Sequence, residues 1–421
     1  MRLNDIDGSY YTSFFCINLE TYENPEQAIE NNSSTFAHEF IHYLQDLILP
    51  YNIRVNLSNL RWFDNICQIG VQDKQIKRPF DIWNEDSRIT RLQYDYTWGE
   101  SKSMTKVWKI GDIIYDVTRG NGYDSYLRKN RTFDIYKYSL YLNRHKKYHL
   151  GAYDLLEYIA YKIEKKHYKV ENLAPLPYSS VDLLFEKYEL SHIPDDIRLC
   201  IAEFCLYNDN PIHLLIQNFL KNEDFIRNSK TLKYETIYAN LLKGSFLTKD
   251  GVFESLTDKT NRRLTQLASD LDFIYGALQE LSDWVSIANK FATEQLSNRF
   301  IFSDIYKMST KEFEQFQRSV LSQIGLPLLM NRKEKRISLL PNDSDSEAFD
   351  QFYIACKLLY FLSSKKSSKY KSCPINTFCK ENYNTYYKQC NAQLKLGSIC
   401  CPDCPYAKFL KIFELENVKI I

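Results

Sequence analysis

The sequence predicts an α+β protein, with strands concentrated in its first part, a mostly helical second part and a short Cys-rich end. Three observations carry this. Residues 9–19 and 132–143 are rich in β-branched and aromatic side chains, and the second stretch alternates with the two-residue period of a strand. From residue 152 onward apolar residues recur at helical spacing. Six of the eleven cysteines fall between residues 373 and 404.

Composition narrows the classes of function. A chain of 421 residues has room for two or three domains with their own cores. Its 54 Lys and Arg balance 53 Asp and Glu, which argues against nucleic acid or an anionic membrane as the main partner. No apolar run reaches the about 18 residues of a membrane span. Residues 1–7 lack the apolar core of a signal peptide. The expected location is the cytoplasm, where cysteines stay reduced and a cluster of them points to metal.

The elements follow in order. Residues 9–19 read as one strand, and Pro25 opens a short helical turn through Ile29. The next helix has Ser33, Ser34 and Thr35 as candidate N-caps and stops at Pro50. Residues 58–71 read as another helix, 73–99 as irregular and 106–119 as a strand pair. Gly120-Asn121-Gly122 reads as a turn and 132–143 as a strand. After Gly151 a helix carries Leu155, Leu156, Ile159, Ala160 and Ile163 on one apolar face. Helices are expected at 179–190, 195–208, 211–221 and 231–243, then one long helix from about Asp258 to Arg299. Its stripe of Leu264, Leu267, Leu271, Ile274, Leu278, Leu281, Val285, Ala288 and Ala292 suits the central helix of a bundle or the seam of a homodimer. A helix at 310–323, a hairpin within 328–340 and a helix at 346–362 complete this part; the basic run 363–371 marks the last boundary.

The chemistry begins in the helix that ends at Pro50. It contains His38-Glu39-Phe40-Ile41-His42, an H-E-x-x-H pattern. Residues four apart share a helix face, so both imidazoles can point at one metal ion, with Glu39 placed to act as general base. Apolar Phe36, Ala37, Phe40, Ile41, Leu44, Leu47 and Ile48 surround them, so the helix is expected to be buried. Two histidines and a glutamate in such a helix need partners, and a metal answers that need.

A catalytic zinc takes three protein ligands. Leu156-Glu157-Tyr158-Ile159-Ala160 carries a carboxylate toward an apolar helix face. His38-Glu39-x-x-His42 followed by Glu157-x-x-Ala160 resembles the gluzincin branch of the zincin metallopeptidases. Tyr158 stands where the common form of the second segment has Gly. The resemblance implies a zincin-like catalytic domain, with His38, His42 and Glu157 as zinc ligands and Glu39 as the base. It covers two short helices and says nothing of the C-terminal half. Rival third ligands are Glu164, His149, His145 and Glu203; Glu164 reads better as a supporting residue or a surface charge. Asp46 can orient an imidazole or face solvent, and His149, Tyr153 or Tyr161 can serve the oxyanion. Residues 9–19 are the expected strand along the cleft, pairing with extended substrate.

The tail offers a second metal site. Cys401-x-x-Cys404 has the spacing of two thiolates on one ion, and Cys373 with Cys379 or Cys390 completes a structural zinc set. Redox-active thiols and an iron–sulfur cluster are the other readings.

The expected organisation is a zincin-like metallopeptidase domain at 1–210, a helical domain at 211–365 and a Cys-rich tail at 366–421. The expected function is a cytoplasmic zinc-dependent endopeptidase acting on a specific intracellular protein, as a bacterial effector or defence protease would. A non-catalytic scaffold binding a partner protein through the long helix and the tail is one alternative. A metal hydrolase acting on a non-peptide bond is the other.

Overall fold

The computed structural model describes residues 2–4, 7–81, 85–101, 107, 110–124, 129–142, 146–247, 253–276, 278–341, 347–363, 373–383 and 404–421. The chain opens with strands β1 (Arg2–Asn4), β2 (Gly8–Tyr11) and β3 (Cys16–Leu19). Helices α1 (Pro25–Asn31), α2 (Ser33–Ile48) and α3 (Pro50–Asp73) follow, then β4 (Gln75–Ile76) and α4 (Glu85–Thr97). Strands β5 (Ile113–Asp124), β6 (Lys129–Leu142) and β7 (Lys146–Leu150) lead into α5 (Ala152–His167). Next come α6 (Pro175–Tyr178), α7 (Ser180–Lys187), α8 (Asp195–Cys205), α9 (Pro211–Leu215), α10 (Glu223–Asn228) and α11 (Tyr234–Leu242). The hairpin β8 (Ser245–Leu247) and β9 (Phe253–Ser255) precedes α12 (Leu256–Tyr275), α13 (Gln279–Phe291), α14 (Ile301–Lys307) and α15 (Thr310–Gln323). The chain closes with β10 (Leu326–Asn331), β11 (Arg336–Leu339), α16 (Asp350–Ser363), α17 (Asn376–Asn382), α18 (Pro405–Ile412) and β12 (Lys419–Ile420). The fold is therefore mixed, α+β. Among the described residues no helix is long and apolar enough to cross a membrane.

Residues 9–19 form a hairpin rather than one strand. Residues 12–15 turn back between β2 and β3, with Ser13 and Phe15 at positive φ. The resulting five-stranded sheet has the order β1-β2-β3-β10-β11. Its first three strands are antiparallel, and β10 joins β3 in parallel. The expected 328–340 hairpin is thus present as β10–β11, and it completes the sheet begun at the N-terminus. β2 is paired on both sides, so the edge next to it is β1, not any part of 9–19.

α2 packs on β2 and β3, and α5 packs on α2. Ser33 is already inside α2; the N-cap position is Asn32, whose side chain makes no capping bond. Pro50 opens α3 and holds Leu49 extended, which separates the two helices. The aromatic Phe15 meets Trp284 and Phe352, tying the hairpin to helices far along the chain.

The entry to α5 is set by Gly151. A Cβ there would fall 2.2 Å from Gly99 N and from the Trp98 carbonyl carbon, so only glycine lets these segments meet. The Asp154 carboxylate accepts the Gly151 N–H at 2.9 Å and the Tyr148 hydroxyl at 2.8 Å. Leu155, Leu156, Ile159, Ala160 and Ile163 are all fully buried. Each Leu or Ile so buried stabilises the fold by about 1.5–3 kcal/mol, before chain entropy is set against it.

Three further expectations give way to tertiary context. Residues 85–97, expected to be irregular, form α4. Gly120-Asn121-Gly122 lies inside β5, where pairing with β6 runs unbroken from Ile113 to Asp124. The long helix divides: α12 ends at Tyr275, Gly276 follows, and α13 starts at Gln279 and packs back on α12. Leu264, Leu267 and Leu271 are buried within the chain, where α12 packs on α3.

Candidate metal centre

α2 and α5 supply the centre. On α2, His38 and His42 stack one turn apart, with ring centroids 4.9 Å apart. Their partners reveal which nitrogen carries each proton. His38 Nδ1 is 3.0 Å from Glu164 Oε2, and a carboxylate can only accept, so Nδ1–H donates. His42 Nδ1 is 2.7 Å from Gln45 Oε1. Gln45 Nε2 donates to the Leu156 carbonyl at 3.1 Å, which fixes the amide so that its oxygen faces the imidazole. Assigned this way, both neutral histidines turn Nε2 inward as an acceptor.

Those two acceptors face each other and a third. The Nε2 atoms lie 3.2 Å apart, and Glu157 Oε2 lies 3.2 Å from His38 Nε2 and 3.5 Å from His42 Nε2. His38, Glu39 and Glu157 are fully buried and His42 is 1% exposed, so water cannot relieve the crowding. Glu157 Oε1 is buried and accepts no hydrogen bond. The centre is a set of acceptors converging on one point, an arrangement that a cation would stabilise.

The residues fit zinc by distance. Three ligands each about 2.0 Å from one tetrahedral ion stand about 3.3 Å from one another. The three separations here are 3.2, 3.2 and 3.5 Å. Among the described residues this is the one group of three His, Cys, Asp or Glu side chains whose donor atoms converge in this way.

The other expected residues occupy distinct places. Glu39 is buried beneath β2: a Cβ on Gly8 would meet Glu39 Oε1 at 2.7 Å. Glu164 is 4% exposed and holds His38 from behind, as a supporting residue. Asp46 does not orient an imidazole by hydrogen bonding. It is fully buried, accepts Ser13 N–H at 2.9 Å and Asn52 Nδ2 at 3.1 Å, and so ties the β2–β3 turn to α3. His149 pairs with the Tyr96 carbonyl, and Glu203 accepts from Phe302 and Ser303 in α14; neither joins the centre. His145 lies outside the described residues. Tyr153 borders Glu157, whose charge, after burial, drives its phenol far above the usual range. Tyr178 sets its ring edge-on to His38, and Tyr161 packs behind Tyr178.

Gln45 was the residue without an expected role. Its spacing, three after His42 on one helix face, is the available signal, but only the Leu156 carbonyl opposite makes it an orienting group. In the tail, Cys373, Cys379 and Cys404 are partly exposed and do not form a convergent group of three among themselves. Cys401 and Cys390 lie outside the described residues.

Comparison of the chain with protein families, with curated proteins and with solved structures finds no match.

Proposed function

We propose that the chain is a zinc-dependent peptide hydrolase of the zincin type, acting on a specific intracellular protein. One observation carries the reading: three converging donor atoms at tetrahedral-ligand separations, two of them on the same helix as Glu39. His38, His42 and Glu157 would hold the ion, with Glu164 and Gln45 fixing the two imidazoles from behind. Bound zinc supplies Lewis acidity to a water and to a scissile carbonyl. Glu39 takes the proton from the attacking water and delivers it to the departing amine. Tyr153 and Tyr178 border the ligands and are the candidate donors to the oxyanion. The tail cysteines are proposed to hold a second, structural zinc.

A second reading has its own support. The ligands and Glu39 are at most 1% exposed, as expected of a metal that staples a non-catalytic scaffold. The two separate by experiment. Purified protein should bind one zinc at this centre, and His38→Ala and Glu157→Ala should lose it. Zinc-loaded protein incubated with a cell extract should create new protein N-termini, and Glu39→Gln should create none while keeping its zinc. Zinc without new termini, in wild type and variant alike, would establish the scaffold reading instead, or hydrolysis of a non-peptide bond.

A further inference from the structure

A second buried cluster has the opposite imbalance. Arg54 on α3 pairs with Asp209 at 2.7 Å, and Arg263 on α12 approaches the same carboxylate at 3.8 Å. Lys259 stands one turn before Arg263 on the same helix, with its ammonium 4.8 Å from the centre of the Phe246 ring. Like charges four apart on a helix repel, and here both face inward: Lys259 is 7% exposed and the Arg263 side chain 16%. Glu254, the other carboxylate at this place, is taken by a two-point pair with Arg262 at 2.7 and 2.9 Å. Among the described residues, four cations therefore share two carboxylates. The Arg263 Nε and Asp209 Oδ1 atoms are buried without hydrogen-bond partners. Burial, with Arg263 and Arg54 reinforcing it against the pull of Asp209, brings the Lys259 ammonium down to about 8.

The cluster is not sealed. The Arg54 side chain is 18% exposed and that of Asp209 29%, so the cluster borders solvent on the side of α3. An excess of two buried positive charges is balanced by one dianion, and guanidinium groups suit a tetrahedral oxyanion because they offer paired N–H donors. We infer that Arg54, Lys259 and Arg263 form a binding site for a phosphate dianion, either free or as a phosphomonoester, separate from the metal centre.

The test is titration calorimetry of the full chain with inorganic phosphate at fixed ionic strength, chloride serving as the control. Saturable one-to-one binding is expected, weakened at least tenfold by Lys259→Met and by Arg263→Gln. A phosphomonoester such as phosphoserine should compete, and its affinity relative to inorganic phosphate tells which source the site prefers. A phosphodiester, with one charge, should bind at least tenfold more weakly than the monoester. No saturable binding, equal affinity in both variants, or a diester that binds as well as the monoester would overturn the site and leave a structural ion-pair network. A melting measurement guards against misfolded variants. Without phosphate, Lys259→Met removes an excess charge and should melt no lower than wild type. A lower melting temperature would show that no charge was in excess, and would end the proposal.

Discussion

The helices α2 and α3 follow one another in the chain, and each carries half of a buried polar cluster; the two clusters err in opposite directions. At the α2–α5 contact, Glu157, Glu164 and the rings of His38 and His42 converge, with the two Nε2 atoms and Glu157 Oε2 facing one another. At the α3–α12 contact, Arg54, Lys259 and Arg263 share Asp209. Glu203 shows what a self-sufficient buried carboxylate looks like. It accepts Phe302 N–H at 3.1 Å, Ser303 N–H at 2.8 Å and Ser303 Oγ–H at 2.8 Å, and caps the start of α14. Glu203 has its donors built into the chain, whereas the proposed metal centre gathers acceptors and the second cluster gathers cations.

The sharpest way to break the comparison is to supply the missing cation. Zinc at a free concentration about a thousand times its Kd should stabilise the wild-type protein by about 4 kcal/mol, read as a rise in melting temperature. His42→Ala should cut that rise, and a rise as large as that of wild type would rule out the α2–α5 centre. Next in size, Glu39→Gln should cut hydrolysis by about a hundred- to ten-thousand-fold, the usual range for losing a general base, while the zinc content stays that of wild type. Glu164→Gln comes third. It keeps the ligands but weakens the support behind His38, and zinc affinity should fall by about ten- to a hundred-fold in a chelator competition.

The smallest effect sharpens the cationic side. Lys259 has a folded-state value of about 8 against an ordinary 10.5, in the company of Asp209, Arg263, Arg54 and Glu254. Between those limits the unfolded chain binds the proton that the folded chain has lost. Lys259 therefore adds stability as pH climbs from about 8 to about 10.5, by up to about 3 kcal/mol. Denaturant unfolding of wild type and Lys259→Met should show a gap in stability that closes across this window. A gap independent of pH would mean that Lys259 titrates normally.

What could be read from the sequence was local. His38, Glu39 and His42 share one helix, and four-residue spacing alone places the two imidazoles on one face. Glu157 was legible because a carboxylate in an apolar helix stripe needs a reason to be there. Gln45 and Glu164 have roles that depend on the packing of α2 on α5, which no spacing within either helix encodes. Lys259 and Arg263 lie in a helix whose only legible signal was its apolar stripe; their burial follows from the packing of α12 on α3. Gly120-Asn121-Gly122 has turn chemistry, yet pairing along the whole of β6 overrides it. The division of the long helix at Gly276 is the converse case, where the weak local signal prevailed over the heptad stripe.

The depth of the centre has a consequence for time rather than energy. With His38, His42 and Glu157 at 0–1% exposure, an ion held there would be shielded from bulk solvent. Its exchange would then be paced by motions that part α2 from α5 or lift the β1–β2 hairpin from Glu39. A strong chelator should then strip the metal at a rate that stops increasing with chelator concentration, because the opening of the protein sets the pace. Gly8→Ala, which crowds Glu39 and loosens that cover, should raise the plateau.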